Sequence, residues 1–269
     1  MAEYIDAIRT TARQMLRDEI QEDVESDFTD DELDRHIKQC LIDISRRDPR
    51  IVREIVYATY KTGTATATTA SHLIDTTSLQ FVAGDVGKTV YNSTDKTTAK
   101  ITVFTSTSNV TLDTDIMASG ETYYIYDTDC TSPKEVSIAA ITNLLEVEKA
   151  EYPTRNDPQD FRNVSVFGNI LRLDIDETPE NGDEIFLYCN KVHSLTELAS
   201  TLKPQHEDVL VKGIVAKAAQ AWCAEQKRKD VVPGSIQFHQ DWADKQLGIY
   251  LNDLNSIARQ RAWKFYSRG

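Results

Sequence analysis

The sequence predicts an α+β protein: a helical core with an antiparallel β-hairpin and a long helix towards residue 269, plus a small all-β domain, barrel or sandwich, inserted into it. Three observations carry this. Apolar residues recur every three or four positions in both flanks, which are rich in Glu, Lys, Arg, Leu and Ala. From about Tyr57 to Asp129 the alphabet changes: Thr62 to Ala70 reads TGTATATTA, and Thr, Ser, Val and Tyr dominate as far as Tyr126. β-Branched residues are stiff at their first side-chain torsion and suit a pleated sheet. Two strand-like segments with strict alternation then follow the insert. The organisation read from this is a core of residues 1–56 and 131–269, with residues 57–130 as the inserted β domain.

Taken in order, Tyr4, Ile5, Ile8, Ala12, Met15, Leu16 and Ile20 predict an amphipathic helix to about Glu22. Thr29 followed by Glu32 has the form of a capping box, and Leu33, Ile37, Leu41 and Ile44 mark one face of the helix it opens. That helix ends before Pro49, because a residue preceding proline is pushed out of the helical region. Ile51 to Tyr60 reads as a strand or an extended entry to the insert. Inside the insert the strand candidates are Leu79 to Phe81, Thr89 to Tyr91, Ala99 to Phe104, Asn109 to Leu112 and Tyr123 to Tyr126, with Gly84, Gly87, Asn92, Asp95, Asn109 and Gly120 supplying turn chemistry.

Val136 to Val147 fits a helix or a strand. Leu171, Leu173 and Ile175 then alternate with polar residues, as do Ile185, Leu187 and Cys189 with Phe186 and Tyr188. The Pro179-Glu180-Asn181-Gly182 turn between them predicts an antiparallel hairpin. Ser194 with Glu197 repeats the capping-box pattern and predicts a short helix. Pro204 suits the first turn of the next helix, whose core positions are Val209, Leu210, Ile214, Ala218, Ala221 and Trp222, with Gly213, Ala216, Ala219 and Ala224 permitting close contact. After Pro233-Gly234, Ser235 caps a final helix of roughly thirty residues, and helices this long usually pack on a neighbouring subunit or project outward.

The formal charge of -13 argues against affinity built on neutralising phosphates. The four cysteines, Cys40, Cys130, Cys189 and Cys223, are too far apart in sequence for the close pairs of zinc or redox motifs, and are expected as structural thiols of a reducing cytosol. No apolar run approaches the ~20 residues needed to cross a bilayer, so no membrane partner is expected and the protein reads as soluble and cytoplasmic.

No constellation of catalytic residues assembles, and the chain is expected not to be an enzyme. The five histidines form no HExxH or serine-hydrolase pattern, and no Walker-type or GxGxxG loop exists. The carboxylates Asp174, Asp176, Glu177, Glu180, Asp183 and Glu184 lack EF-hand spacing and read as a solvated hairpin tip, so neither a metal nor a cofactor is expected. Ten carboxylates lie between Asp18 and Asp34 with no basic residue among them. Glu22, Asp23, Glu25, Asp27, Asp30 and Asp31 form either a solvated connection that favours a helix start, or a negative surface that docks a basic partner or repels DNA. The last stretch reverses the sign, with Arg259, Arg261, Lys264 and Arg268 interleaving with Trp263, Phe265 and Tyr266. A helix end explains the cations through its dipole, but not three aromatics, each able to bury about 150 to 250 Å². Trp, Tyr and Arg dominate interface energetics, so this segment reads as a docking tail.

The order of elements carries a resemblance. The stretch EVEKAEYPTRNDPQDFRNVSVFGNILRLDIDETPENGDEIFLYCNKVHSL, Glu146 to Leu195, followed by STLKPQHEDVLVKGIVAKAAQAW, Ser200 to Trp222, resembles the head-to-tail adaptor (connector) proteins of tailed bacteriophages. GDVGKTVYNSTDKTTAKITVFTSTSNVTLD, Gly84 to Asp113, is similar to small β modules that recur in phage virion proteins. The resemblance implies a structural protein at the head-tail junction of the virion, assembled in the host cytoplasm. It implies a ring, usually of twelve subunits, that joins the portal protein to a tail or stopper protein and extends the channel through which DNA passes without specific binding. It also implies portal docking through the tail, which here is the Arg259 to Gly269 segment. The family core is generally helical and shorter, so the insert departs from it. The alternative is a tail or surface binding module whose β insert recognises carbohydrate through Tyr91, Tyr123, Tyr124 and Tyr126.

Overall fold

In the computed structural model, which describes residues 4–16, 28–127, 130–228 and 233–266, with the backbone alone at 233–236 and 259–266, the chain is α+β. It divides into two compact units, residues 1–51 with 190–269 and residues 52–189. The division follows contacts rather than composition, so the strands at 135–189 join the Thr-rich segment instead of the helices.

The first unit is helical: α1 (Ile5–Leu16), α2 (Asp30–Arg47), α3 (Pro204–Arg228) and α4 (Pro233–Tyr266). The Glu32 amide donates to Thr29 Oγ1 and the Thr29 amide donates to Glu32 Oε2, so the box satisfies two free donors at the start of α2. At the other end the Asp48 amide donates to the Ile44 carbonyl and Pro49 follows. Ile8, Leu33, Ile37, Ile44, Leu210, Ile214, Tyr250 and Leu254 are buried together, one stripe from each helix. Gly213 is where α3 comes closest to its neighbours. A Cβ there would lie 2.6 Å from the Tyr250 ring and 2.8 Å from Cys40 Sγ.

The helix expected at Ser194 does not form. The Ser194 amide donates to Thr201 Oγ1 and its carbonyl accepts from the Thr201 amide, which holds both ends of 194–201 extended. Thr196 then closes a local turn by accepting from the Ala199 amide, a competing use of a hydroxyl that also suits a cap.

The second unit begins within β1 (Arg50–Tyr57). The Thr-rich segment forms β2 (Tyr60–Thr64), β3 (His72–Ile74), β4 (Thr89–Asn92), β5 (Thr97–Ser106), β6 (Asn109–Leu112) and β7 (Thr122–Tyr126), all antiparallel in the order β2-β7-β4-β5-β6-β3. The sheet curls until its ends meet, and the Thr66 amide after β2 donates to the Ile74 carbonyl of β3. Leu73, Phe81, Val90, Ile101, Val110, Tyr123 and Ile125 fill the inside. Leu79 to Phe81 is not the strand its sequence predicts. Asp75 Oδ1 accepts from the Thr77 and Ser78 amides and turns the chain, Leu79 has φ +49, and Phe81 reaches the core from a loop.

The remaining strands are β8 (Glu135–Ser137), β9 (Leu144–Glu151), β10 (Phe161–Arg162), β11 (Val164–Phe167), β12 (Ile170–Leu173) and β13 (Glu184–Lys191). They form a four-stranded sheet, β1-β13-β9-β10, and a three-stranded one, β11-β12-β8. The hairpin expected between β12 and β13 is therefore corrected, since the two strands lie in different sheets. The hairpin that forms is β11 with β12, closed by Gly168 and Asn169, with Gly168 at φ +61 in the first central position. The Pro179 to Gly182 segment has another use. Gly182 donates to the Ala58 carbonyl, Asn181 Oδ1 accepts from the Tyr60 amide, and the Pro179 carbonyl accepts from the Tyr60 hydroxyl.

Candidate docking segment and acidic surface

Helix α4 is placed by a register of side-chain contacts with α3. Lys227 donates to Gln240 at 3.1 Å, Gln220 to Asp244 at 3.2 Å and Lys212 to Asp253 at 2.9 Å, so each step forward on α4 is a step back on α3. Tyr250 lies over Gly213, and its hydroxyl donates to Asp43 of α2, which also accepts from Lys217. The last buried contact among the described side chains is Ile257. Continued, this register sets Arg261 level with Pro204, and residues 262–266 run past the start of α3 by about 7 Å at 1.5 Å per residue. The backbone of Arg259, Arg261, Trp263, Lys264, Phe265 and Tyr266 is thus helical and its last five positions overhang. Arg268 lies outside the described residues.

Of the acidic set, Glu22, Asp23, Glu25 and Asp27 lie outside the described residues. Asp30 accepts from Arg13 at 2.6 Å and stands 3.9 Å from Arg9, while Arg9 donates to Asp34 at 2.7 and 2.9 Å. The Arg13 guanidinium holds the Asp30 carboxyl below its ordinary range. Asp30 is therefore part of a clasp between α1 and α2, and Asp31 beside it is exposed. The clasp was absent from the sequence reading. Its signal is the four-residue spacing of Arg9 and Arg13, which puts both on one helix face.

The tyrosines of the β sheet divide by face. Tyr123 and Ile125 point into the core, where the Tyr123 hydroxyl donates to Asp75 at 2.7 Å. Tyr60, Tyr91, Tyr124 and Tyr126 share the other face, with Tyr124 and Tyr126 stacked at 6.0 Å and Tyr60 5.9 Å from Tyr124. Tyr126 is buried there, which leaves Tyr91 and Tyr124 half-buried.

All four cysteines are buried free thiols, and burial pushes Cys40 up to about 12. His193 is buried with Thr201 and Asp48 carbonyl oxygens 2.8 and 2.9 Å from its two ring nitrogens, a brace between three chain segments. His206 lies in the first turn of α3, 3.7 Å from Asp48. In the 174–184 cluster, Asp183 accepts from the Tyr152 hydroxyl and the Glu180 amide, and Glu184 pairs with Arg155. Among the described residues no group of three or more His, Cys, Asp or Glu could hold a metal ion, and no helix is long and apolar enough to cross a membrane. Neither protein-family models nor curated proteins give a match to this chain.

Proposed function

We propose that the chain is a structural adaptor of a tailed-phage virion. It forms a ring, of twelve copies by analogy with the proteins it resembles, that joins the portal to a tail or stopper protein and extends the DNA channel. The observation that carries this is the overhang of α4. The helix is held to Ile257 by α2 and α3, and its backbone over residues 262–266 then runs past the start of α3, in the part of the sequence richest in cations and aromatics. A segment anchored on one side and projecting on the other suits docking, and the gain from several such segments in one ring is multiplicative, because every binding event after the first is intramolecular. The charge of -13 supports the same reading. A ring of acidic subunits lets DNA pass without adhering, since phosphate contacts govern affinity.

Truncation after Arg261 tests it. The shortened chain keeps Ala243, Tyr250, Leu254 and Ile257, the buried contacts of α4 among the described side chains, so its unfolding midpoint should match that of the full chain, while its binding to portal-containing capsids should be lost. Undiminished binding overturns the docking role. Electron micrographs of capsids with the full chain should show ring density at one vertex.

A further inference from the structure

Two exposed apolar strips lie apart on the strands of 50–57 and 141–167, with β13 between β1 and β9. The first is on β1, whose only neighbour in the strand order is β13. Its eight residues expose Ile51, Ile55 and Tyr57 at 60, 46 and 53 %, with Arg53 exposed between them on the same face. The Arg53 guanidinium is already ordered, stacked 4.4 Å over the Phe186 ring. A long edge strand of this composition is a template for pairing with another chain. The second strip lies beyond β13, where β9 and the β11 hairpin enclose a groove of about 640 Å³ lined by Ile141, Leu144, Val147, Val164 and Val166. Leu145 and Val166 are exposed in its lining, with Glu146 the exposed carboxylate among them, and Phe167, the next residue of β11, is 70 % exposed just outside it.

We propose that these strips are the two halves of a head-to-tail contact between copies of this chain. Ile51, Ile55 and Tyr57 of one copy seat in the β9–β11 groove of the next, with Arg53 facing Glu146. The occupant is a second copy because the strips complement each other in charge and β13 separates β1 from β9 in the sheet, so that one strip cannot fill the other within a copy. A contact between unlike patches is heterologous, and it closes into a ring or runs on as a filament. Each strip offers on the order of 300–400 Å² from side chains left about half exposed, against the ~800 Å² per partner of a stable pair. One contact is therefore weak, and closure, which holds every copy at two contacts, supplies the rest. Closure into a ring rests on the adaptor reading above; the pairing of the strips is read from their own chemistry.

The test uses two variants of the full chain, one with Ile55→Asp and Tyr57→Ser, the other with Val166→Asp and Phe167→Ser. These side chains are exposed, so near-ultraviolet circular dichroism and the urea midpoint should match the native chain. In sedimentation at high concentration the native chain should form species heavier than one copy, and each variant alone should remain a single copy. An equimolar mixture should not exceed twice the mass of one copy, because only one intact contact can form. Assembly of either variant alone, a mixture that grows beyond two copies, or a native chain that stays single both in solution and on capsids overturns the proposal. Native rings that both variants also form remove this contact and leave the adaptor reading standing. Native head-to-tail assembly without capsid binding leaves the contact and removes the adaptor.

Discussion

A carboxylate with no exposed surface is costly unless cations and amides stand beside it. Asp85 has Lys61 at 2.6 Å, Lys88 at 3.2 Å and the Val82 amide at 2.9 Å. Burial opposes its ionisation, but these three partners outweigh burial and leave its pKa below the ordinary value. Asp85→Ala should therefore destabilise the β unit by about 2–3 kcal/mol, the range for hydrogen bonds to charged groups, measured by urea unfolding. Glycines in helices give a paired test of opposite sign. Gly213→Ala drives a Cβ against Tyr250 and Cys40 and should cost about 1–3 kcal/mol. Gly248→Ala on α4 meets open space and should stabilise by up to about 1 kcal/mol, because alanine forms helix better. Equal effects at the two positions in thermal unfolding would remove the argument for close approach at Gly213.

At the scale of elements, what the sequence displays is local chemistry. Helix α2 was legible from Thr29, Glu32 and Pro49, and Thr29→Ala should cost about 1 kcal/mol and lower the thermal midpoint. Strands β12 and β13 were legible too, because alternation needs no partner. Their pairing was not, since the choice between one sheet and two lies with β1, β8 and β9, distant in the chain, and with β11, whose own hairpin claims β12. Strand β2 was hidden by Gly63, which weakens a strand pattern. It is required there because a Cβ would lie 2.5 Å from Asp75 and 2.6 Å from the Tyr123 hydroxyl. Ser194 and Glu197 matched a helix start, yet the Ser194–Thr201 bonds won. The candidate site divides the same way. The cations and aromatics after residue 258 are visible as composition, and the overhang that presents them follows only from the α3–α4 register. The Arg13–Asp30 clasp shows that an acidic run also contains structural members.

Across the whole molecule, charge should give stability a maximum in mildly acidic solution. At pH 8 the chain carries its full negative excess, formally -13, and self-repulsion works against compactness. As the pH falls towards the carboxylate range, proton uptake reduces that excess and relieves the repulsion, which should raise the thermal midpoint. His36, whose pKa burial holds below its ordinary value, opposes the rise because it must be charged inside the fold. Below this the sign changes. For Asp75, burial raises the pKa, but the Ser78 and Thr77 amides and the Tyr123 hydroxyl outweigh it, and the folded value lies below the ordinary 3.8, as it does for Asp85 and Asp30. A group depressed by folding contributes stability above its unfolded pKa and loses that contribution as the pH falls through the folded value. The midpoint should therefore fall steeply below about pH 4. Asp75→Asn with Asp85→Asn should lower the midpoint at pH 6 and flatten the acid limb, because two of the three sites whose protonation drives it are gone. Added salt should raise the midpoint at pH 8 more than at pH 5, where less repulsion remains to be screened. Calorimetric scans from pH 2 to 8 decide it: a midpoint that keeps rising as the pH drops through 4 would show that relief of repulsion outweighs the two buried carboxylates.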